Sequence, residues 1–245
     1  MQRSTRRHLL SATALLAVTR AAFGRSVSGA LPWQANEAYP PSPLHPGPYL
    51  FFSPTEAAAV DAIVARLIPA DDLGPGAKEA GVTFFIDRQL TGPYGGYDWL
   101  YMQGPFSANP LPSQGLQSPL VPRQQYRQGL AALASYCKTT FAGRGFAELS
   151  ADEQDKLLTG LEKGEVKLPN FDSRMLFQLV YANTMEGFFA DPIYGGNRDM
   201  VGWKLVGFPG TRYDYRDVIA KPNQVYTLPP VGLQGRPAWT VGEKP

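Results

Sequence analysis

The sequence predicts a mostly α protein: a small, irregular helical domain with long, extended arms rich in proline, glycine and aromatic residues. Three observations carry that expectation. Apolar residues recur at helical spacing in several stretches, each opened or closed by a recognisable cap or breaker. No stretch with the alternation of a half-buried strand competes with them. Glycine and proline, 25 and 23 of the 245 residues, gather outside the helical stretches, at residues 31–54, 91–122 and 207–245.

The first thirty residues read as a removable targeting segment. Arg3, Arg6 and Arg7 form a basic start with no acid nearby, and an apolar run over residues 9–18 follows. That run is shorter than the roughly 20 apolar residues needed to span a bilayer. Thr5-Arg6-Arg7-His8-Leu9-Leu10 fits the twin-arginine pattern, in which a Ser or Thr precedes the arginine pair and an apolar pair follows. Arg6, Arg7, Leu9 and Leu10 are therefore the candidate export residues. Cleavage is expected after Gly24 or after Ala30, with the second preferred because Arg25 would sit awkwardly behind the first. Removing residues 1–30 takes away five arginines and no acid, so the net charge moves from +2 to −3. Such a mature chain has no electrostatic footprint for nucleic acid or anionic lipid.

The rest, residues 31–245, reads as one domain. Residues 31–52 form an N-terminal arm, residues 53–217 a helical body, and residues 218–245 an extended C-terminal tail. The body opens on Ser53-Pro54-Thr55-Glu56, a capping box with proline at the first helical position. Val60, Val64, Leu67 and Ile68 continue that helix until Pro69 stops it, and Asp71-Asp72-Leu73-Gly74-Pro75 reads as its exit turn. A second helix is expected over residues 77–90, ending at Gly92. A third runs from Pro122 to Phe141, with Tyr126, Leu130, Leu133, Cys137 and Phe141 on one face and Gly143 beyond. Ser150-Ala151-Asp152-Glu153 opens a fourth that ends near Gly164. A fifth spans residues 173–189, with Leu176, Leu179, Val180 and Phe188 inward, and Asp191-Pro192 breaks it.

Disordered linkers are poor in aromatic residues, yet the arms carry Trp33, Tyr49, Phe51, Phe52, Tyr94, Tyr97, Trp99, Tyr101, Tyr226 and Trp239. They are expected to bury rings, partly on this chain's own core and partly on another chain. Residue chemistry argues against catalysis by this chain. Beyond residue 30 the histidine is His45 and the cysteine is Cys137. That is too few for haem attachment, an iron–sulfur cluster or zinc, and no Gly-rich phosphate loop is present. No catalytic, cofactor-binding or metal residue is expected here.

Residues 187–217 carry the most distinctive pattern. Tyr194-Gly195-Gly196-Asn197-Arg198-Asp199 lies at its centre, Trp203 follows, and Arg212-Tyr213-Asp214-Tyr215-Arg216-Asp217 closes it. Physically this is a helix exit, a glycine turn and a new helix start capped by Asn197. Two compatible readings stand: an internal turn with Trp203 in the core, or an interface with another chain. Pro93-Tyr94-Gly95-Gly96-Tyr97-Asp98-Trp99 echoes it, which suggests two aromatic–glycine loops of similar shape on one face. The pattern closely resembles the signature of the gluconate 2-dehydrogenase subunit 3 family, the small subunits of membrane-bound flavoprotein dehydrogenases. The Leu67-Ile68-Pro69 exit and the run from Phe84 through Asp87-Arg88 to Leu90 resemble it too.

That resemblance implies an assembly. A large subunit carries FAD and the catalytic residues, a multihaem cytochrome with haem c passes electrons onward, and the small subunit carries the flavoprotein out on its own leader. The complex would be periplasmic and peripheral to the inner membrane, touching the membrane only through its partners. Which sugar or sugar acid is oxidised would be decided by the large subunit. A lone cysteine in an oxidising compartment makes Cys137 a candidate for an inter-subunit disulfide with the flavoprotein, against the plainer reading of a small buried hydrophobe. The alternative function is a free-standing periplasmic carbohydrate-binding protein whose aromatic residues stack on sugar rings.

Overall fold

Helix α1 is Pro54–Leu67, opened by the expected capping box: Ser53 Oγ accepts from the Glu56 amide, and Glu56 reaches back to the Ser53 amide at 2.8 Å. It is followed by α2 (Val82–Thr91), α3 (Pro122–Thr140), α4 (Ala151–Lys163), α5 (Ser173–Phe189) and a short α6 (Val201–Val206). This computed structural model describes residues 44–107, 111–114, 117–211 and 215–233. All of them fall within one unit, residues 35–240; the remainder, residues 1–34 and 241–245, lies outside the described residues. Among the described residues no strand forms, only isolated bridges, so the mostly α expectation holds.

Helix α5 organises the body, packing against α1, α2, α3, α4 and α6. Its sequence explains why. Leu176, Val180, Asn183, Thr184, Gly187 and Phe188 are all buried and recur at helical spacing as one stripe. The partly buried Phe177, Leu179 and Phe189 widen the covered surface beyond it, so more than one neighbour packs there. Around it gather Val60 and Val64 of α1, Ile86 and Leu90 of α2, Tyr126, Leu130 and Leu133 of α3, and Leu157 and Leu161 of α4. Side chains of this size each contribute about 1.5–3 kcal/mol when fully buried.

Two boundaries differ from expectation for identifiable reasons. Helix α2 starts at Val82 rather than residue 77, because Gly81 takes a left-handed conformation (φ 78°) and ends the preceding turn. That turn is held by its own bonds, Ala80 N–H to Gly76 C=O and Val82 N–H to Ala77 C=O. Helix α3 ends one residue early, with Phe141 as its cap. The Asp71 segment is the expected exit turn, closed by paired backbone bonds between Asp71 and Gly74 at 3.1 Å.

The two echoing loops sit at opposite ends of α2. Pro93–Gly96 forms a single helical turn immediately after Gly92, the C-cap of α2. The other loop meets the opposite end of α2, where the Arg198 amide donates to the Ala80 carbonyl at 3.0 Å. Their shapes agree at one point: Tyr97 and Asn197, each following a Gly-Gly pair, both adopt left-handed backbone angles (φ 51° and 44°).

Candidate functional site

The signature turn finishes α5. The last carbonyls of any α-helix lack intrahelical donors. Here the Trp203 indole Nε1–H donates to the Phe189 carbonyl at 2.7 Å, and Asn197 Nδ2–H donates to the Ala190 carbonyl at 2.8 Å. Asn197 is fully buried and also accepts the Gly202 amide on its Oδ1 at 2.8 Å. Asn197 is therefore not the N-cap expected for this helix, a position that Met200 takes, but it satisfies the Gly202 amide in the first turn of α6 from five residues upstream. One side chain thus joins the end of one helix to the start of the next.

The glycines make that closure fit. Gly195 adopts φ 91°, and Gly196 lies so close to α5 that a Cβ there would meet the Gly187 carbonyl oxygen at 2.2 Å. Asn197, Asp199 and Met200 all hold positive φ (44°, 56° and 57°), a conformation that persists in non-glycine residues only when the surroundings enforce it. Trp203 is buried against Phe208, their ring centroids 5.1 Å apart and edge-on. Tyr194, Arg198 and Asp199 are instead exposed. The internal-turn reading thus holds for Gly196, Asn197 and Trp203, while Tyr194, Arg198 and Asp199 face outward.

The N-terminal arm is fastened to the body by a charged clamp. Asp87 is fully buried in α2, and its carboxylate accepts the backbone N–H groups of Leu50, Phe51 and Phe52, each at 2.9 Å. Arg88 pairs with that carboxylate, donates to the Pro48 carbonyl at 2.8 Å and lies 4.2 Å over the Phe84 ring. Arg127 of α3 pairs with Glu56, donates to the Phe51 carbonyl and covers the Phe51 ring at 4.0 Å. A buried carboxylate is tolerated where several donors and a cation surround it, and Asp87 has all of these.

The C-terminal segment is fastened too. Thr211 N–H donates to the Val231 carbonyl at 2.7 Å, and Val231 N–H returns to the Pro209 carbonyl at 3.3 Å. These bonds close the base of a long loop between Thr211 and Val231. Two residues on, Leu233 N–H donates to Asp191 Oδ2 at 2.7 Å.

The family model for gluconate 2-dehydrogenase subunit 3 matches residues 54–210, well over half of the sequence. The chain belongs to the gluconate 2-dehydrogenase subunit 3 family. No curated protein and no solved structure matches it. Membership implies a place in a multi-subunit dehydrogenase. In this member of the subunit 3 family, the matched span runs from the first residue of α1 to Gly210 at the base of the C-terminal loop.

Other sequence-predicted residues fare differently. Arg6, Arg7, Leu9 and Leu10, both cleavage positions, and Trp33 and Trp239 lie outside the described residues. Cys137 has no exposed surface and sits in the core among α3 and its neighbours. Burial pushes its thiol up to about 11, which keeps it protonated and unreactive. In this conformation the sulfur cannot reach a partner's cysteine, so the geometry favours the small-hydrophobe reading over the inter-subunit disulfide. Two rings of the 97–101 loop are not buried on this chain, Trp99 at 64% and Tyr101 at 83% exposed, while Tyr97 is half-buried edge-on to Tyr94.

A further polar cluster joins α5 to α3 and the Pro93 turn. Tyr126 donates to Asn183 Oδ1 at 2.9 Å, and Asn183 Nδ2–H donates to the Tyr94 oxygen at 3.0 Å and to Glu186 at 2.8 Å. Desolvation pushes the Tyr94 phenol up to about 12 and Tyr126 well above its ordinary range, so both remain protonated donors near neutral pH. Among the described residues no group of three or more His, Cys, Asp or Glu is placed to hold a metal. No helix among them is long and apolar enough to cross a membrane. Sequence reasoning named Asp87 and Arg88 as part of the family pattern without a role, and passed over Arg127. The one local hint was an acid, Asp87, among the apolar residues on the buried side of α2.

Proposed function

We propose that this chain is the small, non-catalytic subunit of a periplasmic, membrane-associated dehydrogenase. It stabilises the large FAD-bearing subunit and carries it through the twin-arginine export route. Electrons then pass from the flavin to a multihaem cytochrome c subunit. Family membership carries the reading. The surface supports it. Trp99, Leu100, Tyr101 and Leu111 are exposed in one loop, and Ile219, Val225 and Leu228 in another, apolar side chains that a partner could cover. The clamp around Asp87 supports it as well, since it attaches the segment that leads to Arg6 and Arg7 firmly to a folded body.

The decisive experiment replaces Arg6 and Arg7 together by lysine in cells that also make the flavoprotein. Both proteins then remain in the cytoplasm, and dehydrogenase activity disappears from the membrane fraction. A flavoprotein that still reached the periplasm would refute the carrier role. Titrating the purified chain with gluconate, glucose and fructose separates the alternative, because a free-standing carbohydrate-binding protein would release measurable heat and the small subunit none.

A further inference from the structure

Apart from the Asp87 clamp on residues 48–52, one place on the body holds both arms. Leu44, in the N-terminal arm, donates its N–H to the Ile193 carbonyl at 3.1 Å, and its Cβ lies against Gly195. Leu233, in the C-terminal segment, donates its N–H to Asp191 Oδ2 at 2.7 Å. The other oxygen of the same carboxylate, Oδ1, accepts the Ile193 N–H at 3.0 Å. The residue that holds the N-terminal arm is thus itself positioned by the side chain that holds the C-terminal segment.

We propose that Asp191 couples the two arms, so that the C-terminal segment around Leu233 and the N-terminal arm around Leu44 are held and released as one cooperative unit. Three features of the turn support this. Asp191 is buried, so an oxygen that loses its donor is not freely compensated by water. The left-handed angles at Asn197, Asp199 and Met200 persist only under external constraint. Part of that constraint comes from the C-terminal segment: Gly232 lies against both the Asp191 carboxylate and the Met200 methyl. Freeing residues 231–233 removes the constraint, lets the turn relax, and displaces the Ile193 carbonyl on which Leu44 depends. An event on the exposed loop, such as a partner seating on Val225 and Leu228, would then be felt in the segment that leads to the N-terminal leader. This coupling goes beyond the proposed function and stands or falls without it.

Hydrogen exchange on the purified full chain tests it. The substitution Leu233→Pro deletes the single donated N–H. The Leu44 amide and the amides of residues 197–202 are expected to exchange about tenfold faster in that variant, as for a local opening made easier, while α4 keeps its protection. Unchanged exchange at Leu44 would overturn the coupling. Loss of protection in α4 would signal global unfolding, and the milder Asp191→Asn then replaces it. Asparagine retains one acceptor oxygen, so only one of the two donors is satisfied. Faster exchange at both arms supports the coupling, and faster exchange confined to one arm refutes it.

Discussion

The carboxylate of Asp87 accepts the backbone N–H of Phe52 at 2.9 Å across 35 residues of sequence, with none of the aspartate surface exposed. Replacing Asp87 by alanine leaves three backbone donors and the Arg88 guanidinium without their acceptor in a buried site. The expected cost is about 3–5 kcal/mol, read as a lowered Tm and as early protease cleavage within residues 44–52. Asp87→Asn keeps one acceptor oxygen and is expected to fall between the two. An alanine variant as stable as the parent would show that the arm is not held by this group.

Gly196 and Trp203 test the closure of α5. Gly196→Ala drives a methyl group into the Gly187 carbonyl and is expected to cost about 3 kcal/mol or more. Trp203→Phe retains the ring but removes the donor to the Phe189 carbonyl, at a cost of about 1–3 kcal/mol. Denaturant titration measures both, and the glycine variant should be the less stable.

Cys137 is expected to resist thiol reagents in the native protein and to react once the chain is unfolded, because it is buried and its thiol is held protonated. On a non-reducing gel of the complex, the small and large subunits should run apart. A single band that separates on reduction would restore the inter-subunit bond and require α3 to part from its core in the assembly.

Glu153 provides a pH signature. Hydrogen bonds from Arg144, then from the Ser150 amide, hold its carboxyl down at about 2, against an ordinary value near 4.5. A depressed carboxylate contributes stability that is present above its unfolded value and lost as pH falls toward the folded one. Between about pH 4.5 and 2 the parent should therefore lose more of its thermal stability than Glu153→Gln does. Parallel Tm–pH curves for the two proteins would show the interaction to be fully screened by solvent.

Replacing Ile219, Val225 and Leu228 together by serine is expected to leave the Tm of the isolated chain nearly unchanged, since all three side chains are largely in water. The same variant should bind the large subunit about tenfold or more weakly in pull-down or interferometry measurements. Equal binding would place the interface elsewhere.

The body was legible in the sequence because its signals are local. The Ser53-to-Glu56 and Ser150-to-Glu153 boxes, the Pro122 start and the Gly164 stop each act within a few residues, and the structure places caps at all of them. Gly81 was missed because a left-handed residue and a helical interior read alike until the chain is folded. The roles of Asp87, Arg127 and Asp191 were missed for a different reason. Their partners lie 35 or more residues away, and no local pattern marks a carboxylate as the acceptor of a distant backbone. Cys137 was legible as one of two readings, and its burial favours the small hydrophobe.

Thr211 and Val231 are joined backbone to backbone across the stretch between them, and the family match stops at Gly210, just before that stretch. A segment with adjoining ends can be lengthened, shortened or rewritten without shifting the register of anything beneath it. Lineages that recruit different flavoprotein partners would have a place to diversify that costs the helical body nothing. For the protein engineer, the same geometry marks an insertion point where a reporter domain could be spliced into an otherwise unaltered subunit.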